Sequence, residues 1–81
     1  MILVTQPEAR LYVVLQKASD GTSATDSQGH TWLQVCTNQL NVPGMRRNQI
    51  SGYLAQLQRR GLYRKKDKYF GMVRLAVIQG V

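Results

Sequence analysis

The segment Arg46–Leu62 constrains this chain more than any other. Ile50, Tyr53, Leu54 and Leu57 recur at i, i+3, i+4 and i+7, the spacing of one helical face. Gly61 follows Arg59 and Arg60 and suits the left-handed residue that ends many helices. Leu62 can then fold back on the last turn, and the two arginines suit the negative end of the helix dipole. A helix is therefore expected over about 46–60. After Gly61 the period changes: Leu62–Lys65 and Tyr69–Leu75 read as two strands, with Lys66-Asp67-Lys68 as the turn between them. Both faces of the second strand carry apolar side chains, so alternation does not select the buried one.

Two further helices are expected upstream. Thr5-Gln6-Pro7-Glu8 has the form of a capping box, with Pro7 tolerated in a first turn, and Leu11, Val14, Leu15 and Ala18 share a face. The first helix should span about 6–18. Asp20-Gly21 ends it, and residues 19–30 read as a polar loop, long for so small a chain. Thr31-Trp32-Leu33-Gln34 has the same capping-box form, with Gln in place of Glu. With Trp32, Leu33, Cys36 and Leu40 as a stripe, it predicts a second helix over about 32–40, broken by Asn41-Val42-Pro43-Gly44. The tail, Ala76–Val81, can extend the last strand, cover the core or pair with a second copy.

Charge narrows the partner. The net charge is +7, and it is unevenly placed. Residues 46–81 hold nine of the eleven Lys and Arg but one carboxylate, Asp67, whereas residues 1–45 are net acidic by one charge. That skew points to a polyanion met by the C-terminal half. The competing reading is a basic face kept for solubility.

At an apolar content of 43%, the 81 residues suit a single folded domain. No apolar run spans a membrane, and Met1–Val4 lacks the basic flank of a signal peptide. The lone Cys36 gives neither a disulfide framework nor a zinc cluster, and a cytoplasmic setting is the default.

The stretch Ile50-Ser51-Gly52-Tyr53-Leu54-Ala55-Gln56-Leu57-Gln58-Arg59-Arg60-Gly61-Leu62 resembles the recognition helix of winged helix-turn-helix proteins, MarR-like and related bacterial or phage regulators. Tyr63–Tyr69 is similar to their wing. The resemblance covers most of the chain and implies an α+β fold of three helices followed by a two-stranded antiparallel wing over about 62–75. It implies a double-stranded DNA-binding module, a sequence-specific transcription regulator placed at the nucleoid or, for a phage protein, in the host cytoplasm. One departure is the long step from Val42 to Ile50, so the turn is longer or the helix starts earlier.

The residue chemistry agrees with that expectation. Arg pairs bidentately with guanine, and Asn or Gln with adenine, from a helix in the major groove. The expected base-reading set is Arg46, Arg47, Asn48, Gln49, Ser51 and Gln56, with Gly52 allowing close approach. Arg60, Arg64, Lys65, Lys66 and Lys68 would contact phosphates, with Tyr69 lending a hydroxyl. A module this small is expected to dimerise or bind cooperatively, with Tyr12, Val13 and the tail from Leu75 to Val81 as the self-association surface.

Other chemistry finds little support. The carboxylates Glu8, Asp20, Asp26 and Asp67 are scattered, so no acid–base pair is expected and the chain is not read as an enzyme. His30 has no neighbouring ligand, Cys36 and Trp32 read as core residues, and no phosphate-binding glycine loop occurs. No cofactor and no small-molecule ligand are inferred. Two alternatives remain: an interaction adaptor for an acidic protein, and RNA binding, against which the absence of an aromatic sheet motif and of a Gly-x-x-Gly loop both count.

Overall fold

The computed structural model describes all residues, Met1–Val81. In chain order it contains β1 (Ile2–Val4), α1 (Gln6–Lys17), β2 (Ser19–Thr25), β3 (Thr31–Cys36), α2 (Arg47–Arg59), β4 (Tyr63–Lys65), β5 (Phe70–Arg74) and β6 (Ile78–Gly80). The expectation of three helices and a two-stranded wing is therefore wrong. The protein has two helices and six strands in two sheets, one of four antiparallel strands ordered β2-β3-β5-β4 and one parallel pair, β1-β6.

The expected second helix is the largest error. Thr31–Cys36 is the central strand β3, paired to β5 from Trp32↔Arg74 to Cys36↔Phe70. Its aromatic and β-branched residues suit a pleated surface, and so short a segment, apolar at Trp32, Leu33, Val35 and Cys36, cannot be told from helix by period alone. As a strand it sends Leu33 and Val35 toward the core and Trp32, Gln34 and Cys36 to the opposite face. Thr37–Arg46 then forms a loop with turns, whose Leu40 and Val42 side chains are buried in the core.

The polar stretch 19–30 is likewise not a plain loop. Ser19–Thr25 is the edge strand β2, and a register shift between Ser19 and Ser23 accommodates Gly21 at φ 87°. Asp26 closes the β2–β3 turn: one carboxylate oxygen accepts from the Gln28 and His30 amides, and the other accepts from the Trp32 indole at 2.9 Å. A polar sequence pairs here because its backbone needs only one neighbour and both its faces meet solvent.

Both helices expected from periodicity at 6–18 and 46–60 are present within a residue at each end. Thr5 and Glu8 form the predicted reciprocal cap of α1. The end of α2 is a Schellman motif: the Leu62 amide donates to the Leu57 carbonyl and the Gly61 amide to that of Gln58, with Gly61 at φ 77°. The helices pack on one face of the large sheet, where Leu11, Leu15, Ile50 and Leu57 meet Val35, Tyr63 and Val73.

The hairpin expected at 62–75 exists as β4 and β5 but is not a free wing, because β5 also pairs with β3 along its whole length. Pairing decides which face of β5 is buried. Gly71 and Val73 lie on the helix side, and Phe70 and Met72 lie on the other. The tail forms β6 beside β1, and Tyr12 is buried with its hydroxyl bonded to the backbone at Arg74 and Ala76, so it is no part of a self-association surface.

Candidate nucleic-acid interface

The first turn of α2 carries Arg46 and Arg47 and no acidic residue, and no side chain caps its free amides. Arg46 is the N-cap residue, and its own amide donates to Gln49 Oε1 at 2.8 Å. Gln49 therefore fixes the helix start, while the free amides of the first turn and the two arginines beside them give this end of the helix positive potential. Arg47 also donates to the Asn38 carbonyl at 3.0 Å, which ties the β3–α2 loop to the helix.

Between α2 and the β4–β5 hairpin lies a cleft of about 340 Å³. Ile50, Leu54 and Tyr63 form its apolar walls, and Arg47, Lys65 and Lys68 line it without any carboxylate. Lys65 points here because it shares the helix-side register with Tyr63 and Gly71. Tyr63 fits only because residue 71 has no side chain, since a Cβ there would lie 2.2 Å from the phenol oxygen. Burial raises the Tyr63 phenol above its ordinary value, with the Thr37 hydroxyl offsetting part of the shift, so it is neutral at physiological pH.

The one carboxylate of this surface, Asp67, is engaged in the hairpin turn. It accepts from the Tyr69 and Phe70 amides, each at 2.9 Å, and these bonds hold it below the usual carboxylate range. Asp67 thus shapes the loop that displays Lys66 and Lys68.

The expected site residues divide into groups. Asn48, Ser51, Gly52 and Gln56 are exposed on α2, with Ser51 on the rim of the cleft. Arg64 lies on the far face of the hairpin, with its guanidinium 4.5 Å from the centre of the Trp32 ring. Lys66 on that side donates to Gln34. Tyr69 is exposed, with Lys68 over its ring.

Arg60 is placed elsewhere. It forms an ion pair with Glu8 at 3.0 Å and donates to the Leu3 carbonyl, which makes it a clamp between β1, α1 and the end of α2. Glu8 is only 2% exposed. Burial pushes its carboxyl up, but the Thr5 amide and the Arg60 guanidinium outweigh that and leave it below its ordinary value.

Sequence reasoning missed the contribution of Asn38 and Thr37, because it placed them in a helix rather than in the loop that lines the cleft. No group of three or more His, Cys, Asp or Glu is arranged to hold a metal ion, and no helix is long and apolar enough to cross a membrane. No family model, curated protein or solved structure matches the chain.

Proposed function

We propose that this protein binds double-stranded DNA through the surface formed by the start of α2 and the β4–β5 hairpin, as a sequence-specific regulator of transcription. The observation that carries the reading is the cleft shared by those two elements, lined by Arg47, Lys65 and Lys68 and free of carboxylates. A phosphate backbone is the common biological ligand that rewards several cations along one groove.

The roles follow from position. Arg47, Lys65 and Lys68 hold phosphates of one strand. Asn48, Ser51 and Gln56 present hydrogen-bonding groups from the exposed side of α2, and Gly52 and Ala55 keep that side shallow enough to approach base edges. Arg46, at the helix start, reaches either a phosphate or a guanine.

Fluorescence anisotropy against random and selected duplex pools at two salt concentrations tests this. The wild type should bind, weaken steeply with salt and prefer the selected pool. Asn48→Ala/Gln56→Ala should lose the preference while retaining non-specific binding. Absence of binding at low salt overturns the proposal and leaves an acidic protein as the partner to seek by pull-down.

A further inference from the structure

The parallel pair β1-β6 stands apart from the basic surface and has an open side. Ile2 donates to the Val77 carbonyl and Val81 to the Val4 carbonyl. Alternation along a strand then directs the backbone groups of Ile78 and Gly80 to the opposite edge of β6, away from β1. No side chain or backbone group of the chain bonds them there. The outer edge of β1 is treated differently: its Leu3 carbonyl accepts from Arg60 at 2.8 Å. Arg60 caps the outer edge of β1; on the opposite edge the Tyr12 hydroxyl accepts from the Ala76 amide at 3.0 Å, and beyond it Ile78 and Gly80 are left without a partner.

The faces of this pair are equally unequal. Val4 is buried, and Gly80 sits so close to α1 that a Cβ would lie 3.2 Å from Gln6 and 3.3 Å from Ala9. The register places Leu3, Val77 and Gln79 on the outward face, where Leu3 is 55% and Val77 71% exposed. Two strands alone are marginal in water, and parallel strands are ordinarily covered on both faces.

We infer that the bare edge of β6 is a self-association surface, taking β6 of a second copy antiparallel across a twofold axis through Gln79. Ile78 of each copy then exchanges both backbone hydrogen bonds with Gly80 of the other, and the result is one sheet ordered β1-β6-β6-β1. Charge favours this occupant. Two chains of net charge +7 repel each other, yet residues 1–4 and 75–81 contain no charged side chain, so the contact itself brings no like-charged side chains together. These segments likewise offer no Lys or Arg side chain to hold a polyanion. The inference is independent of DNA binding.

Sedimentation equilibrium of the full chain from micromolar to millimolar concentration, at low and moderate salt, tests it. The expected result is reversible formation of a species of twice the 9.2 kDa chain mass, strengthening as salt screens repulsion. Ile78→Pro removes a free-edge donor that the β1 ladder does not use. Val77→Lys places a like charge beside the twofold axis. Each should shift the dimerisation midpoint at least tenfold with an unchanged far-ultraviolet circular dichroism spectrum, whereas Arg59→Ala should not. Should one variant unfold, the other still decides. A wild type that stays monomeric at millimolar concentration overturns the inference, as does a dimer indifferent to both folded variants. Flotation of the monomer with neutral phosphatidylcholine vesicles would instead assign the face to lipid.

Discussion

The two helices begin with the same device and opposite chemistry. In each, the side chain three residues into the helix accepts from the N-cap amide at 2.8 Å: Glu8 from Thr5 in α1, Gln49 from Arg46 in α2. At α1 the acceptor is charged, buried and paired with Arg60, and the Thr5 hydroxyl caps in return. At α2 the acceptor is neutral and exposed, and the N-cap residue is an arginine that cannot accept a hydrogen bond. One helix start is closed and holds the fold together; the other is left open toward solvent. A cation takes part in both, so count alone does not tell a structural arginine from a binding one; its partner does.

Breaking the closed end should have the largest effect. Glu8→Ala leaves Arg60 without its carboxylate and the Thr5 amide without an acceptor. Arg60 is partly exposed, so the loss should fall at the low end for a buried pair, about 3 kcal/mol by urea unfolding. Folding holds the Glu8 carboxyl below its ordinary 4.5. Its stabilisation is therefore complete above that value and is lost as pH falls through the lower folded value. Glu8→Gln should flatten that part of the pH–stability curve; an unchanged acid limb would show that the pair contributes nothing.

Next comes the floor of the cleft. Gly71→Ala forces Tyr63 off the sheet and should cost about 2 kcal/mol, with a perturbed near-ultraviolet circular dichroism signal. A neutral substitution would mean that the ring does not rest on residue 71.

Arg46→Ser sharpens the contrast between helix starts, because it gives α2 the cap that α1 already has. Stability should rise by about 1 kcal/mol while duplex affinity falls severalfold. A rise in both would show that the open start has no part in binding. The smallest expected effect is on salt dependence: Lys65→Ala/Lys68→Ala should lower the slope of log affinity against log salt by about 0.9 per lost phosphate contact, with little change in melting temperature.

Much of this organisation is legible in the sequence, for local reasons. The stripe from Ile50 to Leu57, the Gly61 ending and the Thr5–Glu8 box each depend on residues within a few positions, so period and capping read them well. β3 was illegible because Thr31-x-x-Gln34 imitates a cap and its partners in β5 lie 34 to 42 residues on; only the sheet pairing selects strand over helix. β2 carries no apolar signal at all, and the β1-β6 pair joins segments more than 70 residues apart. The basic character of α2 and the hairpin was evident from charge, whereas the diversion of Arg60 to Glu8 depends on a contact across 52 positions.

Mapping backbone amide shifts of the isotope-labelled protein while a short DNA duplex is added addresses the central claim most directly. The account predicts the largest changes at Arg46–Gly52 and at Arg64–Tyr69, with Thr5–Glu8 and the β1-β6 pair unmoved. Changes centred on α1 or the terminal strands, or none at low salt, would contradict it.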